Sequence, residues 1–144
     1  MEAALAAAAS LTVVNRDTDR CDELAQLIRG HTPAHAEAIA WDRPYRVPEE
    51  TDTVINATSI GLYPDIDPRL HLDLDSLRPH MVVADVIPTA PWTALLHDTD
   101  ARGCRTRDGL GMLVNQGVIS IKLWTGTDAD PDVMRHTLAE LFGA

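Results

Sequence analysis

The stretch Asp108-Gly-Leu-Gly-Met-Leu-Val-Asn-Gln-Gly-Val-Ile-Ser-Ile-Lys-Leu-Trp-Thr-Gly126 constrains the fold more than any other part of the chain. Leu110, Leu113, Val114, Gly117, Val118 and Ile121 recur at helical spacing, so one apolar or small-residue stripe runs along a single face. Asp108 is placed to cap its start. The opposite side carries Met112 and Ile119 beside Asn115, Gln116 and Ser120, with Lys122 only in the last turn. A helix of this kind is expected to be covered on both sides. The amide of Gln116, once buried, then needs hydrogen-bond partners from the core or from a polar small molecule.

The remaining elements supply the layers. Glu2 to Ala9 is nearly all alanine and reads as the tail of a helix. Leu11 to Asn15 is a short β-branched run and reads as a buried strand. A helix follows, capped by Thr18 or Asp19, with Cys21, Leu24, Ala25, Leu27 and Ile28 on its apolar face and Gly30 at its end. Strands are expected at His35 to Trp41, Thr53 to Ala57, Met81 to Ile87, halted by Pro88 and Pro91, and Cys104 to Thr106. A Pro- and Asp-rich loop spans Tyr63 to Pro79, a short helix runs from Thr93 to Arg102 and closes at Gly103, and a terminal helix runs from Pro131 to Phe142. Strands alternating with helices predict an α/β domain with a mostly parallel sheet, and the whole of 1–144 is expected to form one domain.

Charge and cysteine usage exclude several functions. A net charge of -10 disfavours attraction to nucleic-acid phosphates or anionic membranes. Cys21 and Cys104 are far apart, with no secretory signal, and read as reduced thiols in a cytoplasmic protein. No run approaches the length of a membrane span. With six aromatic rings in 144 residues, aliphatic packing must fill the interior.

Four blocks occur in order along the chain: Asn15-Arg16, Asn56-Ala-Thr-Ser-Ile-Gly61, Asp85-Val86 with Thr93-Ala-Leu-Leu96, and Asp108 to Gln116 followed by Trp124-Thr-Gly126. Together they resemble the carboxyl-terminal, cofactor-binding half of the shikimate dehydrogenase family. The resemblance implies a truncated Rossmann-like, doubly wound fold. It implies reduction of 3-dehydroshikimate to shikimate with NADPH, a step of the shikimate pathway of aromatic amino acid biosynthesis, with quinate or NAD used by some relatives. Asn15, Arg16 and Arg20 would meet the adenosine ribose and its 2'-phosphate, as a guanidinium fork after the second strand does well. Asp17 stands where the family usually has Thr, which brings NAD into consideration beside NADP. Thr58 and Ser59 would line the cofactor cleft, Val86 and Gly109 would sit by the nicotinamide, and Gln116 would hydrogen-bond the substrate hydroxyls. Pro88 stands where many members carry a substrate-holding Tyr.

The resemblance also implies that the Gly-rich pyrophosphate turn and an amino-terminal domain with a catalytic Lys and Asp lie outside this sequence. No catalytic residue is therefore expected in this chain, and inactivity alone is expected. Its partner would be a second copy or the missing domain. The alternative is a non-catalytic remnant or partner-binding module that keeps the fold. No metal site is expected: Pro33 interrupts the pair His31 and His35, and Asp128, Asp130 and Asp132 lack the glycine and closing Glu of a calcium loop, so helix capping accounts for them better. Lys122, the only lysine, reads as a surface residue.

Overall fold

The computed structural model describes residues 8–88 and 92–142. They fall into two compact units, Met1–Tyr45 and Arg46–Ala144. Most of the expected alanine helix, and the strand-halting Pro91, lie outside the described residues.

In the first unit, strand β1 (Ser10–Asn15) leads through helix α1 (Thr18–His31) to strand β2 (His35–Ala40). The strands pair in parallel, from Ser10 opposite His35 to Asn15 opposite Ala40. Cys21, Ala25 and Ile28 recur at helical spacing and are buried together with Ala34 and Ala36, while Leu11, Val13 and Ala38 pack on them from the strands. The thiol of Cys21 donates to the Val13 carbonyl at 2.9 Å, which ties helix to strand and fixes this cysteine as structural.

Both ends of α1 differ from expectation. The cap is Asp17, not Thr18 or Asp19, because its carboxylate reaches the Arg20 N–H at 3.1 Å and leaves Thr18 and Asp19 inside the first turn. The helix also runs past Gly30 to His31. Thr32 ends it by donating both its N–H and its hydroxyl to the Ile28 carbonyl, at 3.0 and 2.8 Å, just before Pro33.

Strand β3 (Tyr45–Arg46) falls at the division between the units, and the second unit continues with β4 (Thr53–Asn56), β5 (Leu72–Asp73), β6 (Val82–Asp85), α2 (Ala94–Asp100), β7 (Arg105–Arg107), α3 (Leu110–Thr125) and α4 (Pro131–Phe142). Strands β4, β6 and β7 form a parallel sheet in that order, with Thr53 opposite Val82 and Val82 opposite Arg105. Met81, Val83, Ile87, Leu95, Leu96, Cys104, Leu110 and Val114 are buried, so the core is aliphatic as the scarcity of rings requires. The segment expected to be all loop contains β5 and a 3-10 turn, Leu74–Ser76. Two polar contacts hold it: the Arg46–Asp73 ion pair at 2.8 Å, and buried Ser76, whose hydroxyl accepts from the Val47 N–H at 2.9 Å.

Helix α3 buries Leu110 and Val114 and half-buries Leu113, Gly117, Val118 and Ile121, the stripe expected from spacing. Its other side is not covered. Met112, Ile119, Leu123 and Trp124 are exposed by 47, 60, 78 and 81%, and Gln116 is exposed among them. The reason is that α4 takes only one side: Met134 packs where a Cβ on Gly117 would stand, and no described element of this unit lies over the rest. The cap position is Gly109 and not Asp108, although the Asp108 carboxylate accepts the Leu110 N–H at 3.0 Å from one place upstream. Gly126, at φ +72°, closes the helix in the left-handed conformation that glycine adopts most easily. Asp130 caps α4 through the N–H groups of Asp132 and Val133, which is the capping reading of the acidic triplet. No helix among the described residues is long and apolar enough to cross a membrane.

Candidate functional site

In an open parallel sheet, ligands gather where the strands end, because loops leaving the carboxyl edge diverge into a crevice. Three adjacent turns occupy that edge in the second unit: Ala57 to Ser59 after β4, Val86 and Ile87 after β6, and Asp108 and Gly109 after β7. A buried polar network sets the first two. Asn56 and Asp85 are register partners, 4 and 2% exposed, and the Asn56 amide donates to Asp85 Oδ1 at 3.0 Å. The same oxygen accepts the Ile87 N–H at 3.2 Å, and Asp85 Oδ2 accepts the Thr93 hydroxyl at 2.7 Å. On the other side, Asn56 Oδ1 accepts both the N–H and the hydroxyl of Thr58, at 3.0 and 2.8 Å. Thr58 Oγ1 then accepts the Ile60 N–H at 3.1 Å. Every polar atom in this chain of bonds is partnered, which is the condition for a buried carboxylate to rigidify its surroundings.

The third turn is set by contact. A Cβ on Gly109 would lie 2.7 Å from the carbonyl oxygens of both Val86 and Ile87, so only glycine lets the start of α3 close on the turn after β6. Val86 and Gly109 are therefore neighbours, and Thr58 reaches the same edge through Asn56 and Asp85. Ser59 is exposed in the same turn. Gln116 is two turns along α3 from Gly109 and presents an exposed amide.

In the first unit, the turn after β1 holds Asn15, Arg16, Asp17 and Arg20, all exposed. Asn15 Oδ1 accepts the Asp17 N–H at 3.1 Å, and the Asp17 carboxylate both caps α1 and lies 3.3 Å from Arg20 Nε. Asp17 is thus engaged within its own turn, whereas Arg16 has no carboxylate partner among the described residues. These donors fit a phosphorylated ribose: one unpaired guanidinium, a second held by a capping carboxylate, and a side-chain amide, all at a strand's carboxyl end. Spacing alone does not reveal the linking roles of Asn56, Asp85 and Thr93. The available signal is an Asp inside the otherwise apolar run from Met81 to Ile87.

Cys104 is buried behind this sheet, and its thiol donates to the Arg78 carbonyl at 3.4 Å. Burial raises its pKa above the ordinary thiol value, with the Arg102 charge opposing. Such a thiol is protonated at neutral pH and is a poor nucleophile. Among the described residues, no cluster of three or more His, Cys, Asp or Glu is arranged to hold a metal ion.

Parallel strands feeding helices, with polar turns gathered at their carboxyl edge, define a Rossmann-like α/β protein. The profile of the Shikimate 5'-dehydrogenase C-terminal domain matches residues 109–139, the third turn with α3 and most of α4. The NADP(+) shikimate dehydrogenase of Desulforamulus reducens is 34% identical over 140 residues, 96% of this chain and 48% of its own length. The ligand-free 5-ketofructose reductase of a Gluconobacter strain is 49% identical and superposes with a TM-score of 0.87, over 97% of this chain and 50% of that one. The shikimate 5-dehydrogenase of Listeria monocytogenes, in complex with shikimate and NAD, is 26% identical with a TM-score of 0.82, over 95% and 50%. The chain is thus similar to the carboxyl-terminal half of shikimate dehydrogenases, whose carboxyl-terminal domain profile it matches in part. It spans about half the length of the relatives it matches.

Proposed function

We propose that this chain is the cofactor-binding part of an NADP-dependent oxidoreductase that acts on the ketone of a small polyhydroxylated molecule, and that it does not turn over substrate alone. The observation that carries this reading is the locked carboxyl edge. Thr58, Val86 and Gly109 are held at the ends of three adjacent strands by the Asn56–Asp85–Thr93 network and by the contact of Gly109 with the Val86 and Ile87 carbonyls. Arg16 and Arg20 supply the cations for a 2'-phosphate, with Asp17 neutralised by Arg20 and by its capping bond. When bound, the nicotinamide supplies or accepts a hydride. This chain's residues orient it: Gly109 and Val86 offer a flat backbone surface, and Gln116 offers an amide to substrate hydroxyls. The general acid and base of the reaction are assigned to a partner domain.

Two substrate classes are in play. The shikimate dehydrogenase relatives point to 3-dehydroshikimate. The higher identity to the Gluconobacter reductase, with Pro88 in place of a phenolic side chain in the turn after β6, favours a keto-sugar such as 5-ketofructose. The test is NADPH and NADH binding to the chain by fluorescence titration, followed by NADPH oxidation with each ketone after adding a separately prepared amino-terminal domain. Micromolar NADPH binding, with turnover only in the mixture, is the expected result. Absence of binding of either nucleotide overturns the reading and favours the partner-binding alternative, to which the exposed Met112, Ile119, Leu123 and Trp124 are suited.

A further inference from the structure

A second concave site lies in the same unit; it shares Asp108 with the turn after β7, but none of Thr58, Ser59, Val86 or Gly109 lines it. It is a cavity of about 300 Å³, open to solvent, with Trp92, Arg107, Asp108, Gly111 and Arg135 around it and buried Leu96 at its floor. Its elements come from four places in the chain: the approach to α2, the end of β7, the first turn of α3 and the face of α4.

Two guanidiniums without a carboxylate partner among the described residues line it. The chain has 22 acidic and 12 basic residues, so a guanidinium has many carboxylates to choose from. Arg20, Arg43, Arg46, Arg69, Arg78 and Arg102 each pair with Asp or Glu, while Arg16, Arg29 and Arg105 have no carboxylate partner among the described residues. Among the described residues, neither Arg107 nor Arg135 has a carboxylate partner. Among the described residues, Arg107 donates to the backbone carbonyl of its neighbour Thr106, at 2.9 Å. The Arg135 guanidinium lies 3.2 Å from where a Cβ of Gly111 would be, so it rests over the first turn of α3, the positive end of that helix. A cation there is repelled unless an anion sits between them. The one acidic group at the rim, Asp108, has a carboxylate oxygen already accepting the Leu110 N–H.

We propose that this cavity binds a small phosphate-bearing ligand, with the phosphate between Arg107 and Arg135 and a planar group on the face of Trp92. Guanidinium forks match phosphate oxygens two at a time, an exposed indole offers a stacking surface, and the volume exceeds what a bare phosphate needs. Asp108 disfavours ligands with a second anionic group near the rim and accepts from a hydroxyl.

The experiment is a titration of the full chain followed by amide and indole NMR shifts, with three probes: inorganic phosphate, phenyl phosphate and phenol. The expected result is saturable shifts at the Trp92 indole and the Gly111 and Arg135 amides, with phenyl phosphate binding at least fivefold more tightly than inorganic phosphate and phenol showing no saturation. Arg135→Gln and Arg107→Gln should each weaken phenyl phosphate at least tenfold, Arg135→Lys by less, and Trp92→Leu should remove the preference over inorganic phosphate. Shifts confined to Asn15 to Arg20 would place the phosphate on the cofactor turn and overturn the proposal. So would equal affinity in the wild-type chain and both arginine variants, saturable binding of phenol, or no saturation by 10 mM phenyl phosphate, on the order of the weakest affinity such a paired site would show.

Discussion

The side-chain amide of Asn56 donates to the carboxylate of Asp85 across the β4–β6 pair, at 3.0 Å, and both residues are almost fully buried. A strand pair is ordinarily joined by backbone bonds alone. Here a side-chain bond at the last register position also fixes where each chain leaves the sheet, because Asn56 holds Thr58 and Asp85 holds Ile87 and Thr93.

Asp85→Ala tests this relationship. It strands the Asn56 amide, the Thr93 hydroxyl and the Ile87 N–H, and leaving buried donors unsatisfied costs about 3 kcal/mol in total. A urea unfolding curve should show the midpoint fall accordingly. Thr93→Val keeps the shape but removes both the donor to Asp85 and the cap of α2, where the Thr93 hydroxyl accepts the Leu96 N–H, and should cost about 2 kcal/mol. Equal stability of the wild type and Asp85→Ala would mean that the network does not hold the turns.

The two glycines of α3 make opposite predictions. Gly109→Ala places a methyl 2.7 Å from two backbone carbonyls that cannot move aside, so α3 must shift away from the Val86 turn, at a cost of about 2 kcal/mol or more. Gly117→Ala meets only the Met134 terminal methyl, at 2.6 Å, which can rotate away. Its clash is offset by a helix-propensity gain of about 1 kcal/mol. Thermal melts of both variants, with NADPH titrations, should show Gly109→Ala destabilised and at least tenfold weaker for nucleotide, and Gly117→Ala near wild type in both.

These outcomes bear on what was legible in the sequence. The stripe Leu110 to Ile121 and the bounds of α4 follow from helical spacing, and the parallel strands follow from short β-branched runs, because local periodicity decides both. Caps depend on which carboxylate reaches which N–H, so Asp17 displaced Thr18 and Asp19, and Gly109 displaced Asp108. Coverage was not legible at all. The residues of Met112, Gln116 and Ile119 look alike whether or not another layer lies over them, and only the placement of α4 shows that one side is bare. Among the site residues, motif order pointed to Thr58, Val86 and Gly109. The long-range partners Asn56 and Asp85, 29 residues apart, meet only through strand register.

Under the proposed function, the choice between NADPH and NADH turns on Arg16. It is the guanidinium of the β1 turn with no carboxylate partner among the described residues, while Arg20 is tied to Asp17. Arg16→Ala should raise the NADPH dissociation constant about tenfold, the loss of one charge-assisted bond to phosphate, and leave NADH within about twofold. Asp17→Ala removes a cap worth about 1 kcal/mol and frees Arg20, so it should lower stability while tightening NADPH relative to NADH. Fluorescence titration with both nucleotides measures the ratio, and an unchanged ratio in Arg16→Ala would assign the 2'-phosphate elsewhere.

The Cys104 thiol makes a pH-dependent contribution to stability whose sign follows from burial. Its folded pKa is raised, chiefly because the thiolate loses hydration, with Arg102 working against the shift. The unfolded chain gives up this proton at about pH 8.5, the ordinary thiol value. Above that pH and below the folded pKa, the unfolded state therefore binds fewer protons than the folded one, and stability falls as pH rises. The contribution is fully present below the unfolded pKa and is lost as pH climbs through the folded one. Urea midpoints from pH 7 to pH 10 should decline more steeply for the wild type than for Cys104→Ala, the difference between them isolating this group from other titrations. Thiol-specific labelling of the native chain should be slow at Cys104 at neutral pH and accelerate only above the ordinary thiol range. Rapid labelling at pH 7 would mean that the thiol is open to solvent and that burial does not set its pKa.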